Sequence, residues 1–453
     1  MIKNLMPYPF DKNGEKDVYG KVILKDMSFY AENSDIKCSL EISLISNEMI
    51  KYDSLFAKPQ GESYNMEIQP YFYEFYFEGY IEQRVFYYLF GGQSINGVFI
   101  GGYESKPPIN LRKFRILDEE EALLEEDSRP LLRGQILFSA SPIVRSGTTL
   151  KIVAADLKEM SETAEKIDVN FDCRKFIIND SEKYKIEEVL RNSLSLDTLS
   201  PTVLIYNVGQ GNNVFIEYAK NKGFFFDIGL TKEKKHKENA SIVGAIKNMQ
   251  DKKADMVILS HWDMDHILGI TCADGSIYKC PWIAPNFYDV YNKISLSAQR
   301  LCAYLCHRGV PVYLLDGSFN QTEVVSIDNK FVLYKGDSRG SNGINELNNF
   351  GLLLKLNYGK SMLLTGDCEY KVMPPEIFNT PYEYMLVPHH GSKMSEPHFF
   401  EHARNTRAFV SVGEDNQYEH PDDKHLAQVN KKGYTVCETR HLNFPDIMFE
   451  ISL

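Results

Sequence analysis

The segment Ser260-His261-Trp262-Asp263-Met264-Asp265-His266 places two imidazoles and two carboxylates within six consecutive residues, directly after the apolar run Met256-Val257-Ile258-Leu259. A strand that stops at such a cluster points several potential ligands into one small volume at its carboxyl end. Imidazole nitrogen and carboxylate oxygen are donors that divalent ions take, and two ions can share a site of this kind. A polar surface turn would account for the aspartates but not for two histidines at this spacing. The segment reads as a metal site.

Other residues of ligand type stand at the ends of apolar runs. Asp227 closes Gly223-Phe224-Phe225-Phe226 and precedes Ile228-Gly229, where it could cap the strand or orient a ligand from behind. Asp367 ends Met362-Leu363-Leu364-Thr365-Gly366, and His389 and His390 follow Tyr384-Met385-Leu386-Val387-Pro388. His420 lies between Glu419 and Pro421. Singly, each is more simply structural. Repeated delivery at strand ends is stronger evidence, because α/β sheets build their sites there.

The elements needed for this delivery are readable from Thr202 onward. Thr202 to Val208 is a strand closed by Gly209-Gln210-Gly211-Asn212-Asn213, and Val214 to Tyr218 pairs with Gly223 to Asp227. A helix spans Ser241 to Gln250, the strand Asp255 to Leu259 carries the ligand cluster, and helical and strand-like segments then alternate, an α/β layered pattern. The first half reads as β-rich, with strands around Gly20–Leu24, Cys38–Leu44, Tyr71–Phe77 and Gly134–Phe138. The aromatics from Tyr71 to Tyr103 could stack on bases, but core and cross-strand packing explains them better. An acidic helix or connector is expected over 118–127, and a helix over Lys183 to Ser193 leads to a polar joint at 195–201. The joint divides a β-rich amino-terminal region, 1–195, from an α/β region, 201–453. No catalytic constellation stands in the first region, whose expected role is substrate selection or docking of a protein partner.

At 453 residues the chain can bury several cores, and 43% hydrophobic with 25% charged residues is the composition of an ordinary globular protein. A formal net charge of -12 argues against a general polyanion-binding surface, though a metal centre with a basic rim attracts phosphate locally. Such a rim is available in Lys232, Lys234, Lys235 and Lys237, which a solvated charged loop would explain equally well. No run reaches the roughly 18 apolar residues of a membrane span, and the first residues carry no secretory-type apolar stretch, so a cytoplasmic chain without membrane contact is expected. The eight cysteines are dispersed, which fits reduced thiols. Cys302-x-x-x-Cys306-His307, with Cys272 and Cys280, matches no common zinc spacing and reads as core.

His261-x-Asp263-x-Asp265-His266 resembles the metal motif of the metallo-β-lactamase fold. Val208-Gly209-Gln210-Gly211, Asp227-Ile228-Gly229, Thr365-Gly366-Asp367, His389-His390-Gly391-Ser392 and Tyr418-Glu419-His420-Pro421 follow the motif order of its ComEC-like branch. The resemblance covers about the last 250 residues. It implies an αββα sandwich holding two divalent ions, Mn²⁺ or Zn²⁺ with Mg²⁺ also compatible. By position, His261 and Asp263 would bind one ion, Asp265 and His266 the other, and Asp367 would bridge them. The His389-His390 pair would add a ligand, His389 being favoured although the sequence does not separate the two. Asp265 and His420 would be catalytic, His420 contacting the scissile phosphate or protonating the leaving oxygen, with Asp227 behind the ligands.

Three departures stand out. Asp263 occupies a position where many relatives have His, which makes the site more oxygen-rich and suited to Mn²⁺ or Mg²⁺. The stretch Asn345-Glu346-Leu347-Asn348-Asn349-Phe350 lacks the metal-binding His of the wider fold, so an Asn would have to substitute, with Asn349 as a candidate ligand or outer partner. Asn212 stands where the branch often has an acid, in a loop expected to orient substrate.

The function implied is a metal-dependent phosphodiesterase, with a nuclease acting on DNA or RNA as the leading reading. A phosphodiesterase for a small cyclic nucleotide or phosphocholine-type substrate is the enzyme alternative. A non-catalytic component of a defence or regulatory complex is the third.

Overall fold

A computed structural model of the chain describes residues 17–29, 35–46, 73–90, 111–117, 122, 131–138, 143–153, 157–170, 172–194, 200–232, 239–288, 290, 294–339, 346–379, 382–394, 406–414, 416, 419–442 and 445–453. The chain divides into two compact units: 1–172 with 292–304, and 173–291 with 305–453.

In the first unit, strands Asp17–Phe29, Asp35–Ser46, Tyr73–Glu82, Leu131–Phe138, Ile143–Val153 and Leu111–Leu117 pair in that order, and the last closes onto the first as a barrel. Every pairing is antiparallel. Alternate residues Val18, Val22, Leu40, Ile42, Phe75, Phe77, Phe114 and Leu150 form its core, joined by Phe86 and Leu89 of the helix Gln83–Phe90. Burial of each such aromatic contributes roughly 1.5–3 kcal/mol. Among the described residues of the aromatic run, Phe75, Tyr76, Phe77, Phe86 and Phe90 are buried while Tyr80 is exposed; 71–72, 91–103 and the acidic stretch 118–127, Ala122 apart, lie outside them. Closure leaves the sheet no edge to pair with another chain.

The second unit is mixed α/β. One sheet runs Met448–Ser452, Thr202–Tyr206, Asn213–Ala219, Lys222–Ile228, Lys253–Ile258, Trp282–Pro285, Val312–Leu315 and Ile177–Ile178. The other runs Thr322–Ile327, Phe331–Lys335, Leu352–Asn357, Ser361–Leu364, Tyr384–Leu386, Arg407–Val410 and Thr435–Glu438. Val203, Ile205, Phe224 and Phe226 of the first share one core with Phe331, Leu333, Leu354 and Leu364 of the second, so the sheets pack face to face. Phe224 and Phe331 meet edge-on at 5.9 Å.

The outer face of the second sheet buries Leu353, Leu363 and Met385 with Leu426 and Val429 of the helix Asp423–Lys431. The helix Ala240–Gln250 is tied to the first sheet through Asn213 Nδ2 to Met249 Sδ (3.4 Å) and Tyr206 Oη to Asn248 Oδ1 (2.7 Å). The layers are therefore helix, sheet, sheet, helix.

The units divide after Asp172, ahead of the joint expected at 195–201. The helix Lys183–Ser193 puts Ile186, Val189 and Leu190 into the sandwich core, and Ile177–Ile178 extends the first sheet parallel to Leu314 and Leu315. A strand of two residues leaves no periodic signal to read. No described helix is long and apolar enough to cross a membrane.

Candidate metal centre

Lys222–Ile228 and Lys253–Ile258 are parallel neighbours, so Asp227 and the segment beginning at Ser260 emerge side by side at one end of the first sheet. Asp227 takes a left-handed backbone, φ 60°, and is fully buried. Its Oδ1 accepts from the Ser260 backbone N–H (2.6 Å); its Oδ2 accepts from Ser260 Oγ (2.7 Å), Asn212 Nδ2 (2.8 Å) and His266 Nδ1 (2.8 Å). Because the carboxylate accepts throughout, His266 Nδ1 carries a proton, and Nε2 is the atom left with a lone pair when the ring is neutral. Gly229 is required just beyond: a Cβ there would fall 1.9 Å from the Asp265 carbonyl oxygen.

The second sheet closes the site. Leu352 N–H donates to the Ser260 carbonyl (2.8 Å), and Ser411 Oγ to the Gly211 carbonyl (2.7 Å). His390 Nδ1 donates to the Ser411 carbonyl at 2.6 Å, and since a carbonyl only accepts, its lone pair too lies on Nε2. His261 Nδ1 faces Ser260 Oγ at 3.1 Å. The Nε2 atoms of His261, His266 and His390 are all buried and have no hydrogen-bond partner.

All three point toward Asp367. His266 Nε2 is 3.2 Å from Asp367 Oδ1, while His261 and His390 Nε2 lie 3.8 and 3.9 Å from Oδ2. Asp263 Oδ2 stands 3.7 Å from His261 Nε2, and Asp265 Oδ2 3.3 Å from His390 Nε2. Two overlapping donor groups result, His261 with His266 and Asp367, and Asp265 with His266 and His390, each with its ligand atoms within 4.8 Å of one another. Buried imidazole nitrogens and carboxylates gathered this closely are the donor set that a divalent ion takes. The residues fit divalent metal.

Electrostatics agree. Burial alone would raise the Asp367 carboxyl, but the His266, His389 and His390 imidazoles hold it well below the usual carboxylate range. For Asp265, too, burial is outweighed, here by His390, His266 and Lys232. Burial would lower His266, yet the Asp367 and Asp227 carboxylates push it well above an ordinary histidine. His390 is raised in the same way, against burial, by Asp367 and Asp265.

The remaining sequence-derived residues fall out as follows. His389 and His390 diverge: His390 joins Asp265 and His266, whereas His389 Nε2 lies 3.7 Å from Asp367 Oδ2 and 3.4 Å from Asn348 Nδ2. Asn349 is buried, and its Oδ1 accepts the Glu369 backbone N–H at 3.0 Å. Asn348, one residue earlier on the turn Glu346–Asn349, contacts the site. Asn212 serves Asp227 from a buried position. The His420 ring packs against His389 at 5.5 Å, and burial, aided by the neighbouring imidazoles, lowers it to about 3. Lys232 is buried beside the site, whereas Lys234, Lys235 and Lys237 lie outside the described residues. Cys272, Cys280 and Cys302 are buried, Cys306 is half-buried, and none of them forms a disulfide.

Sequence reasoning did not find the part taken by Ser260. Ser260 carried a signal, being a small hydroxyl residue set between the strand and its first histidine.

No protein-family model matches this chain, and no curated protein matches it. Among solved structures, a diphosphatase of the PhnP family is similar at 9% identity and TM-score 0.28, over 54% of this chain and 85% of that one. The diiron β-hydroxylase CmlA from Streptomyces venezuelae is similar at 15% identity and TM-score 0.34, over 56% of this chain and 55% of that one. A variant of CmlA aligns at 11% identity and TM-score 0.35, over 76% of each chain.

Proposed function

We propose that the second unit is a metallo-β-lactamase-type αββα hydrolase of the ComEC-like kind, acting as a metal-dependent phosphodiesterase, with nucleic acid as substrate. The observation that supports the metal centre is the convergence of three buried Nε2 atoms on the Asp367 carboxylate. Asp265, His266, His390 and Asp367 would hold one divalent ion, and His261, Asp263 and Asp367 the other. Mn²⁺ or Zn²⁺ suits this mixture of imidazole and carboxylate, and Mg²⁺ is compatible with its oxygen donors. When bound, two such ions would supply Lewis acidity, activating a water and offsetting charge on a phosphoryl group.

The chain's own residues supply the rest. Asp227 and the Ser411 carbonyl fix the tautomers of His266 and His390, so neither has to reorient on loading. Lys232 adds a buried positive charge that acts on Asp265 and attracts an anionic substrate. His420, lowered to about 3, is neutral at physiological pH. It therefore contacts a phosphoryl oxygen as a hydrogen-bond donor rather than holding a proton ready for the leaving group. The barrel unit would select the substrate or dock a protein partner.

Purified protein with Mn²⁺ is incubated with single- and double-stranded DNA and RNA, and separately with bis-(p-nitrophenyl) phosphate. Cleavage of polynucleotide that Asp265→Ala abolishes is expected. Turnover of the small ester alone would move the reading to a small phosphodiester. No cleavage of either would point to a non-catalytic role.

A further inference from the structure

We propose that the adjacent histidines His389 and His390 serve different metal ions, so that His389 closes the position formed by His261, Asp263 and Asp367. The inference rests on the metal-centre reading above and assigns the imidazole that the turn Glu346–Asn349 does not provide.

The backbone makes the division. His389 and His390 both lie in the left-handed region, at φ 49° and 53°, a conformation that L side chains keep only where their surroundings hold it. Here the holding contacts are His389 N–H to the Gly366 carbonyl (3.1 Å), Ser392 N–H to the His389 carbonyl (2.8 Å) and His390 Nδ1 to the Ser411 carbonyl (2.6 Å). Two successive residues so held send their rings apart, with centroids 6.2 Å from each other and planes at 66°.

Both Nε2 atoms nevertheless approach one oxygen. Asp367 Oδ2 has His389 Nε2 at 3.7 Å, His390 Nε2 at 3.9 Å and His261 Nε2 at 3.8 Å. Two donors on a single ion, at bond lengths of about 2.0–2.2 Å, sit about 2.8–3.6 Å apart. Taken singly with Asp367, each histidine is therefore within a few tenths of an ångström of the spacing of two ligands on one ion, although His389 falls in neither of the two compact donor groups and would have to close in on loading.

His390 also has Asp265 Oδ2 at 3.3 Å, which assigns it to the Asp265 position. His389 has no such tie. Its other polar neighbour at Nε2 is the Asn348 amide at 3.4 Å, on the segment that leaves the Asp263 position without an imidazole. His261, Asp263, Asp367 and His389 then make two nitrogens and two carboxylates, the same count as Asp265, His266, Asp367 and His390. His389 is the more exposed of the pair, 28% against 2%, so the ion it holds is the one nearer solvent.

The test uses the full chain, stripped with chelator, loaded with Mn²⁺ or Co²⁺ and dialysed before metal analysis. Wild type is expected to retain two ions, H389Q one and H390Q one. The single Co²⁺ left in each variant should give a different visible spectrum, because different donors surround it. The double variant should lose both ions. A wild type holding one ion, or an H389Q that keeps the wild-type number with affinity within threefold, overturns the division. A wild type that binds none overturns the metal centre itself.

A second measurement needs no variant. On Zn²⁺ loading of protein with ¹⁵N-labelled histidine, four imidazoles (His261, His266, His389 and His390) should show Nε2 shifts. Three shifted imidazoles would leave His389 unligated and end the proposal.

Discussion

Asp227→Asn separates charge from shape at the most heavily used acceptor of the site. Asn tolerates a left-handed backbone, so the φ of 60° is kept and the side chain is isosteric. One oxygen can still accept the Ser260 N–H. The amide nitrogen that replaces Oδ2 faces Ser260 Oγ, Asn212 Nδ2 and His266 Nδ1. The serine hydroxyl can rotate to accept, and Asn212 can turn its unpaired Oδ1 inward. His266 can answer only by moving its proton to Nε2, the atom intended for the ion.

An outer partner of a ligating histidine is worth about 10–100-fold in metal affinity, which is about 1.4–2.8 kcal/mol. If the tautomer does not switch, two donors face each other in a buried site, at a further cost of about 1–3 kcal/mol in stability. In the metal-free protein His266 is raised above 6.5, so its contribution to stability is complete below that pH and is lost as pH rises through the folded value. Removing Asp227 should flatten that decline. Calorimetric Mn²⁺ titration, ¹⁵N spectra of the histidines and chelated melts across pH 6–9 measure these quantities. Wild-type affinity within threefold, with His266 still protonated on Nδ1, would refute the reasoning.

His420→Gln should remove a pH dependence of the metal-free fold. His420 is lowered to about 3 from 6.5, so the unfolded chain takes up the proton first and wild-type stability falls as pH drops between those values; a denaturation series that is equally steep in the variant would count against this. Gly229→Ala should cost about 3 kcal/mol or more and abolish metal binding, because the new Cβ meets the Asp265 carbonyl at 1.9 Å. Gly275→Ala, with nothing within 4 Å, is the neutral comparison in the same urea unfolding experiment. Asn349→Ala should lower stability by about 1–3 kcal/mol by orphaning the Glu369 N–H, while metal analysis finds the wild-type number of ions. Loss of an ion without loss of stability would make Asn349 a ligand after all.

What could be read in advance follows from how far each signal is local. His261, Asp263, Asp265 and His266 are contiguous and follow an apolar strand, so spacing alone grouped them. Asp227 and Asp367 were legible as carboxylates at the tips of apolar strands. The different placements of His389 and His390 depend on two left-handed residues in succession, which no hydrophobic period encodes. Asn348 and Asn349 are neighbours on a single turn, where one step rotates a side chain by about 100°; which of them reaches His389 needed coordinates. Closure of the first unit into a barrel was hidden for another reason. Alternation marks strands, but pairing between Asp17–Phe29 and Leu111–Leu117 is non-local.

The centre also explains why the two sheets meet as they do. Asp227, Asp265 and Asp367 are carboxylates gathered into one largely buried space, which is costly without compensating positive charge. Raised imidazoles offset part of that cost in the metal-free chain, but a protonated Nε2 cannot also hold an ion. Loading therefore exchanges protons for metal, and affinity must rise with pH until the histidines are neutral. The exchange does not disturb the outer hydrogen bonds: Asp227 on the first sheet holds His266, and the Ser411 carbonyl on the second holds His390. Since Leu352 to Ser260 and Ser411 to Gly211 join the sheets beside these residues, an ion shared through Asp367 would link both sheets at the point where they already touch.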